Sequence, residues 1–227
     1  MNFENFKKML LAMLEGSVTS LEVFALTLLF AIPLALPIAF GRMSKNKLLS
    51  GSVNVFLLII RGTPLMLQLL IVYFGPGLFV RWLESFGYTL AFRWDRFTAA
   101  IVALSINYAA YFAEIYRGGI SSIPKGQYEA GYVLGMTKSQ IFRKIILKQV
   151  IQRIVPPMSN EIITLIKDTA LANCIMVCEI IKQAKELAAT KAMIWPLFYT
   201  GVFYLLFVGL LTIVLGKLEK KLSYFRS

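Results

Sequence analysis

The chain contains no histidine and only two cysteines, Cys174 and Cys178. A Ser-His-Asp or Cys-His catalytic site is therefore excluded, and zinc and iron–sulfur centres lack their usual ligands. No metal site is expected. The two cysteines lie one helical turn apart in an apolar block and read as small buried apolar residues. The phosphate-cradling pattern G-x-x-x-x-G-K-[ST] is absent, so the chain should not bind ATP through a P-loop of its own. Acidic residues are scarce, 12 against 24 Lys and Arg, and they are scattered. That leaves no paired general acid and base for a membrane-embedded enzyme.

What is present is oil in long blocks. Of 227 residues 58% are hydrophobic, above the 45–50% of soluble domains, and mean hydropathy is +0.69. Blocked apolar sequence points to membrane spans rather than to a large soluble core. The net charge of +12 falls in loops between these blocks, so it reads as positive-inside bias, not as a nucleic-acid footprint. One domain over residues 1–227 is expected.

Residues 1–16 place Phe3, Phe6, Leu10 and Met13 at helical spacing opposite Lys7, Lys8 and Glu15, which predicts an amphipathic surface helix. Five spans are predicted after it. The first, 23–40, carries no charge and contains Pro33 and Pro37, which should kink it. The second, 53–75, is interrupted by RGTP at 61–64, and the third covers 97–116. The fourth follows Pro156-Pro157, runs to about 181 and is interrupted by KDT at 167–169. The fifth is 194–216. With the N-terminus outside, the inner loops hold 14 Lys and Arg and the outer segments 8, which favours N-out and C-in.

A polar, basic island at about 118–153 then faces the cytoplasm. Ser121, Ser122 and Pro124 read as a helix start, and Gly135 as its stop. TKSQ at 137–140 reads as a capping box that opens a second helix, running to Arg153 before the double proline. Two short capped helices would make a stiff knob. Tyr128, Tyr132, Leu134 and Met136 are large apolar groups in a loop that should be polar, the mark of an interface. Ala130, Gly131 and Gly135 are small enough to let a partner approach closely.

The island carries EAGYVLGMT at 129–137, followed by IFRKIILKQ and IVPP. It resembles the EAA motif of membrane permease subunits in ATP-binding-cassette importers, with Gly131 in place of the second Ala. RGTPLMLQL at 61–69, NYAAYFAEIYRGGISSIPKGQYEA at 107–130 and NEIITLIKDTAL at 160–171 resemble the polar amino-acid uptake branch of that family. The resemblance implies an all-α polytopic membrane protein of about five spans, with an N-terminal surface helix and cytoplasmic coupling helices. It implies a bacterial inner-membrane location and pairing with a second copy or a homologous permease. A dimer of ATP-binding subunits, which carry ATP and Mg, would grip the island through Glu129, Ala130, Gly131 and Gly135. An extracytoplasmic binding protein would deliver an amino acid.

Polar residues inside spans are candidates for substrate contact. On the second span these are Thr63, Met66 and Gln68; on the fourth, Asn160, Glu161 and Thr164. Asn107, Tyr111 and Glu114 share a face of the third span. Arg61, Glu114, Lys167 and Asp168 have structural readings. Arg61 would satisfy carbonyls freed by Gly62 and Pro64, Glu114 would pair with Arg117, and Lys167 and Asp168 would offset charge at a break. A stand-alone secondary transporter or channel is the alternative. It would need no docking knob, and it usually shows an internal repeat, of which there is none here.

Overall fold

The structure is a computed structural model that describes residues 3–88, 92–93 and 95–223. Every regular element among them is helical: α1 (Phe3–Arg42), α2 (Lys47–Gly62), α3 (Leu65–Glu84), α4 (Arg96–Ser121), α5 (Lys125–Val133) and α6 (Lys138–Ile141). A π turn (Phe142–Ile146) leads into α7 (Leu147–Asp168), and a 3-10 turn (Thr169–Ile175) precedes α8 (Ile180–Lys191) and α9 (Trp195–Ser223). Four helical stretches are long and apolar enough to cross a membrane: Phe6–Arg42, Leu65–Glu84, Arg96–Ser121 and Trp195–Leu222. The expected fourth span overlaps the second half of α7, up to Asp168, and α7 is too polar to join that set.

α4 is the central helix. Fourteen of its residues are buried, and small ones among them (Ala99, Ala100, Ala103, Ala109, Ala110, Ala113) let α1, α3 and α7 pack close. Val23, Ala31, Ala35 and Ala39 line the facing side of α1, and Leu165 and Ile166 come from α7.

Several boundaries differ from the sequence reading. There is no separate surface helix at 1–16: α1 is one helix of 40 residues, about 60 Å long. Gly16, where the expected surface helix would end, is instead the point where α1 touches α8; a Cβ there would lie 2.9 Å from the Ile180 Cα. Met13 packs on Ile180 and Ala184, and Ser17 and Ser20 bond back into their own helix. α1 also continues through Pro33 and Pro37. The break expected at RGTP is present and complete: the second span is two helices, parted at Thr63 and Pro64. Most unexpected, α7 runs unbroken through Pro156-Pro157. Each proline costs a helix about 3 kcal/mol, but free backbone polar groups in lipid cost as much or more, so the helix persists. It ends at Asp168, and residues up to Lys191 form a turn and a separate helix rather than more span.

Candidate functional site

The island folds as a knob. α5 is nine residues long, Lys125–Val133. Ser122 closes α4 instead of opening α5, and Pro124 stands at the α5 N-cap without a side-chain cap. The C-terminal end behaves as its glycine requires. Gly135 has φ +71°, Met136 N–H donates to Gly131 O at 3.0 Å, and Gly135 N–H donates to Tyr132 O at 2.9 Å. Those two bonds form a Schellman motif. TKSQ is a capping box: Gln140 N–H donates to Thr137 Oγ1 at 3.3 Å, and Thr137 N–H donates to Gln140 Oε1 at 2.9 Å.

A small apolar core holds the knob together: Ile123, Ile141, Ile146 and Val150, with Tyr128 and Met136 against them. Gly131 belongs to this core. A Cβ on it would stand 2.6 Å from Ile141 Cγ1, so its smallness serves α5 packing onto Ile141, not a partner's approach. Gln149 Nε2 donates to Gln127 Oε1 at 3.2 Å, and Arg153 donates to Ser122 O, tying α7 to α5 and to the turn before it. Gly119 on α4 lies directly under Ile154 of α7. Outward, the knob shows Glu129, Ala130, Tyr132, Val133 (87% exposed) and Leu134 (76%).

A second group of polar residues surrounds the RGTP break. Gln68 is 8% exposed and fully engaged. Its Nε2 donates to Ile60 O (2.7 Å), Thr63 O (3.1 Å) and Thr63 Oγ1 (2.9 Å), and its Oε1 accepts from Asn107 Nδ2 at 2.9 Å. Gln68, not Arg61, therefore satisfies the carbonyls at the break. Met66, one residue beyond Leu65, is half exposed. Across from these, Tyr108 on α4 donates to Asp168 Oδ2 at 2.7 Å. Glu161 is half-buried on the same side, within electrostatic reach of Tyr108, Asp168 and Arg61. Thr164 donates to Asn160 O, Asn160 itself is exposed, and Lys167 is exposed with no ion pair among the described residues.

The Glu114–Arg117 pair read from the sequence is present, with Arg117 Nη2 at 2.9 Å from Glu114 Oε2. Two more guanidinium groups stand by the same carboxylate, Arg61 at 3.7 Å and Arg42 at 3.9 Å. Arg42 ends α1 and reaches Glu114 only through helix packing, which no local pattern signals. Tyr108, next to Asn107 in the sequence, does carry a signal: a phenol three residues from Tyr111 on the polar side of α4.

The binding-protein-dependent transport system inner membrane component family matches residues 31–224. The chain belongs to that family. Similar permeases include the arginine ABC transporter permease ArtM of Haemophilus influenzae, 37% identical over 97% of this chain and 96% of the relative. The L-cystine transport system permease TcyB of Bacillus subtilis is 38% identical over 92% of this chain and 86% of its own. The glutamine transport system permease GlnP of Escherichia coli is 35% identical over 93% of each. Among solved structures, a crystal structure of an amino acid ABC transporter with histidines aligns with TM-score 0.81 at 30% identity, covering 97% of this chain and 99% of that one. The permease fold, multi-pass through a bacterial inner membrane, follows from these together with the apolar helices.

Proposed function

We propose that this permease is the path-forming subunit of an ATP-driven importer for a polar amino acid. It works as a dimer, with a second copy or a homologous chain, and with ATP and Mg held on separate subunits. The observation that carries the reading is the knob. α5 is closed by a Schellman motif, backed by its own apolar core and clamped to α7, while its apolar tip of Tyr132, Val133 and Leu134 is left uncovered. A stiff knob passes a partner's motion into α7 and α4, where a floppy loop would absorb it. Glu129, Ala130 and Gly135 present the surface that an ATP-binding subunit would grip, and Gly131 holds the shape behind it.

The break at Thr63–Pro64 is tied to α4 through Gln68 and Asn107, and Arg61 beside it rests on the Tyr111 ring. On α7, Glu161 is within electrostatic reach of Arg61, and Asn160 and Thr164 belong to the same helix. Broken helices with polar groups at their ends are where transporters hold substrate. Glu161 gives the region a carboxylate suited to a cationic amino acid. Positive-inside bias puts the knob in the cytoplasm and the N-terminus outside.

The test is ATP-driven uptake in proteoliposomes containing the permease, its ATP-binding subunits and its binding protein, over a panel of amino acids. Uptake that needs ATP and the binding protein supports the reading. Uptake by the permease alone, driven by an ion gradient, would sink it in favour of a secondary transporter. Glu161→Gln should lower uptake of cationic more than of neutral amino acids; equal uptake of both refutes the assignment of that carboxylate.

A further inference from the structure

Three arginines from three helices meet one carboxylate. Arg42 lies in the last turn of α1, Arg61 in the last turn of α2, and Arg117 on α4, one turn beyond Glu114. Arg117 holds the carboxylate most closely: its Nε donates to both oxygens, at 3.1 and 3.2 Å, and its Nη2 donates to Oε2 at 2.9 Å. Arg42 and Arg61 stand too far off, at 3.9 and 3.7 Å, to hydrogen-bond it. Among the described residues no hydrogen bond engages either guanidinium group, and the Arg42 Nε is a buried donor without an acceptor, while the Arg42 carbonyl accepts from Ser50 Oγ at 3.1 Å. Arg61 rests on the Tyr111 ring, 5.3 Å from its centroid, which fixes its place without using its N–H groups. Glu161 of α7 is within electrostatic reach of Arg61 but forms no ion pair with it.

The junction therefore carries three positive charges against one. The carbonyl ends of α1 and α2 offset part of the surplus, yet neither the Arg42 nor the Arg61 guanidinium hydrogen-bonds a protein group among the described residues; each has only a long contact to Glu114. The cluster is open on one side, with Arg61 42% and Arg42 31% exposed in their side chains. Close by in the chain are Lys45 in the exposed turn after α1, Lys47 at the start of α2, and the exposed apolar side chains Leu49 and Leu58 of α2. Paired guanidinium groups suit a phosphate oxyanion, which accepts bidentate bonds from a fork. Basic pockets between membrane helices at the cytoplasmic face take anionic lipid headgroups, and apolar residues beside the charge suit the acyl chains.

We propose that Arg42 and Arg61 form a phosphate-binding site at the α1–α2–α4 junction, filled by the headgroup of an anionic phospholipid. A free phosphate offers the same chemistry without the acyl chains, and the experiment separates the two. The whole importer complex is placed in nanodiscs of phosphatidylglycerol or of phosphatidylcholine, delipidated stepwise, and weighed by native mass spectrometry. A parallel arm titrates inorganic phosphate into the detergent-purified complex and follows its thermal unfolding.

One phosphatidylglycerol retained per permease chain is expected, and no phosphatidylcholine. Arg42→Gln and Arg61→Gln should each weaken retention roughly five-fold, the effect of one basic residue near an anionic surface. Arg42→Lys and Arg61→Lys, which keep the charge and guard against misfolding, should lose less. Glu114→Gln should raise retention, because it removes the competing anion. If inorganic phosphate alone gives a stabilisation that both Gln variants abolish, the site stands with a soluble anion as its occupant. Equal retention of the two lipids with no phosphate effect overturns the proposal, as does retention that both Gln variants leave unchanged. The readout is bound mass, so it decides the point whether or not the complex transports an amino acid.

Discussion

Gly131 and Gly135 stand four residues apart in the same knob and are glycine for different reasons. Gly131 has ordinary helical backbone but no room, since Ile141 occupies the place of any Cβ. Gly135 has room, with nothing within 4 Å of a Cβ, but its φ of +71° is the left-handed conformation. Two outcomes follow. Gly131→Leu should destabilise the knob by about 1–3 kcal/mol through overpacking, and Ile141→Ala in the same chain should recover much of that loss. Thermal unfolding of the purified permease, with retention of the ATP-binding subunits on a column, would show both effects; a Gly131→Leu loss that Ile141→Ala leaves untouched would mean the glycine is needed for the partner itself. Gly135→Val should cost about 1–2 kcal/mol for the left-handed backbone and uncouple ATP hydrolysis from uptake, while the permease still reaches the membrane. Gly135→Asn, which tolerates that conformation, should stay coupled. The local signals at this site were legible because Gly135 and TKSQ act within a few residues. The inward role of Gly131 was not, because Ile141 is ten positions away and nothing local says which face of a short helix turns in.

At the scale of an element, punctuation in a sequence is read by rules learned in water, and here two rules fail. Pro156-Pro157 does not end α7, and Gly16 does not end α1. In both cases packing and the need to satisfy backbone groups internally outweigh propensity. The RGTP break obeys the rule because a side chain completes it: Gln68 bridges the two carbonyls and is itself held by Asn107. Gln68→Leu, similar in volume, should leave Ile60 O and Thr63 O without their donor and lower stability by about 1–3 kcal/mol; Asn107→Leu in the same background should add little. Strictly additive losses in a double-mutant cycle of thermal unfolding would show that the two amides do not act together. α8 depends on a different device. Glu179, outside the spans and fully buried, accepts Ile181 N–H and Lys182 N–H at 2.8 Å each and caps the helix against Ser20 of α1. Burial pushes its carboxyl up to about 7, against the pull of those two bonds. A folded-state value above the ordinary 4.5 means that the fold holds the proton more tightly. This residue's contribution is therefore greatest at low pH, falls as pH rises from 4.5 through about 7, and is flat above that. Comparing unfolding of wild type and Glu179→Gln across that window tests it: the variant's curve should lack the decline.

For the molecule as a whole, the charge-free blocks and the order of the motifs were enough to read an all-helical permease, because both are properties of composition over long windows. Of the Glu114 cluster only the pair with Arg117, three residues on along α4, was legible; Arg42 and Arg61 come from α1 and α2, and only helix packing brings them to the same carboxylate. Orientation is the remaining whole-molecule property, and the chain carries its own reporter. Cys178 is exposed in the segment between the 3-10 turn and α8, and Cys174 is less accessible. With the N-terminus outside, α1 ends in the cytoplasm at Arg42, α4 begins outside at Arg96, and Cys178 lies near that outer end, lining an open recess with Thr19, Asp95 and Arg96. A membrane-impermeant maleimide added to intact spheroplasts should then label Cys178. In a Cys178→Ser background, Lys45→Cys in the turn after α1 should react only in inverted vesicles. Labelling in the opposite pattern would place the knob outside, away from any ATP, and would overturn the orientation and the coupling role together. Labelling of Cys178 alone from outside, with Lys45→Cys silent from both sides, would keep the orientation and show that the turn is covered in the assembled complex.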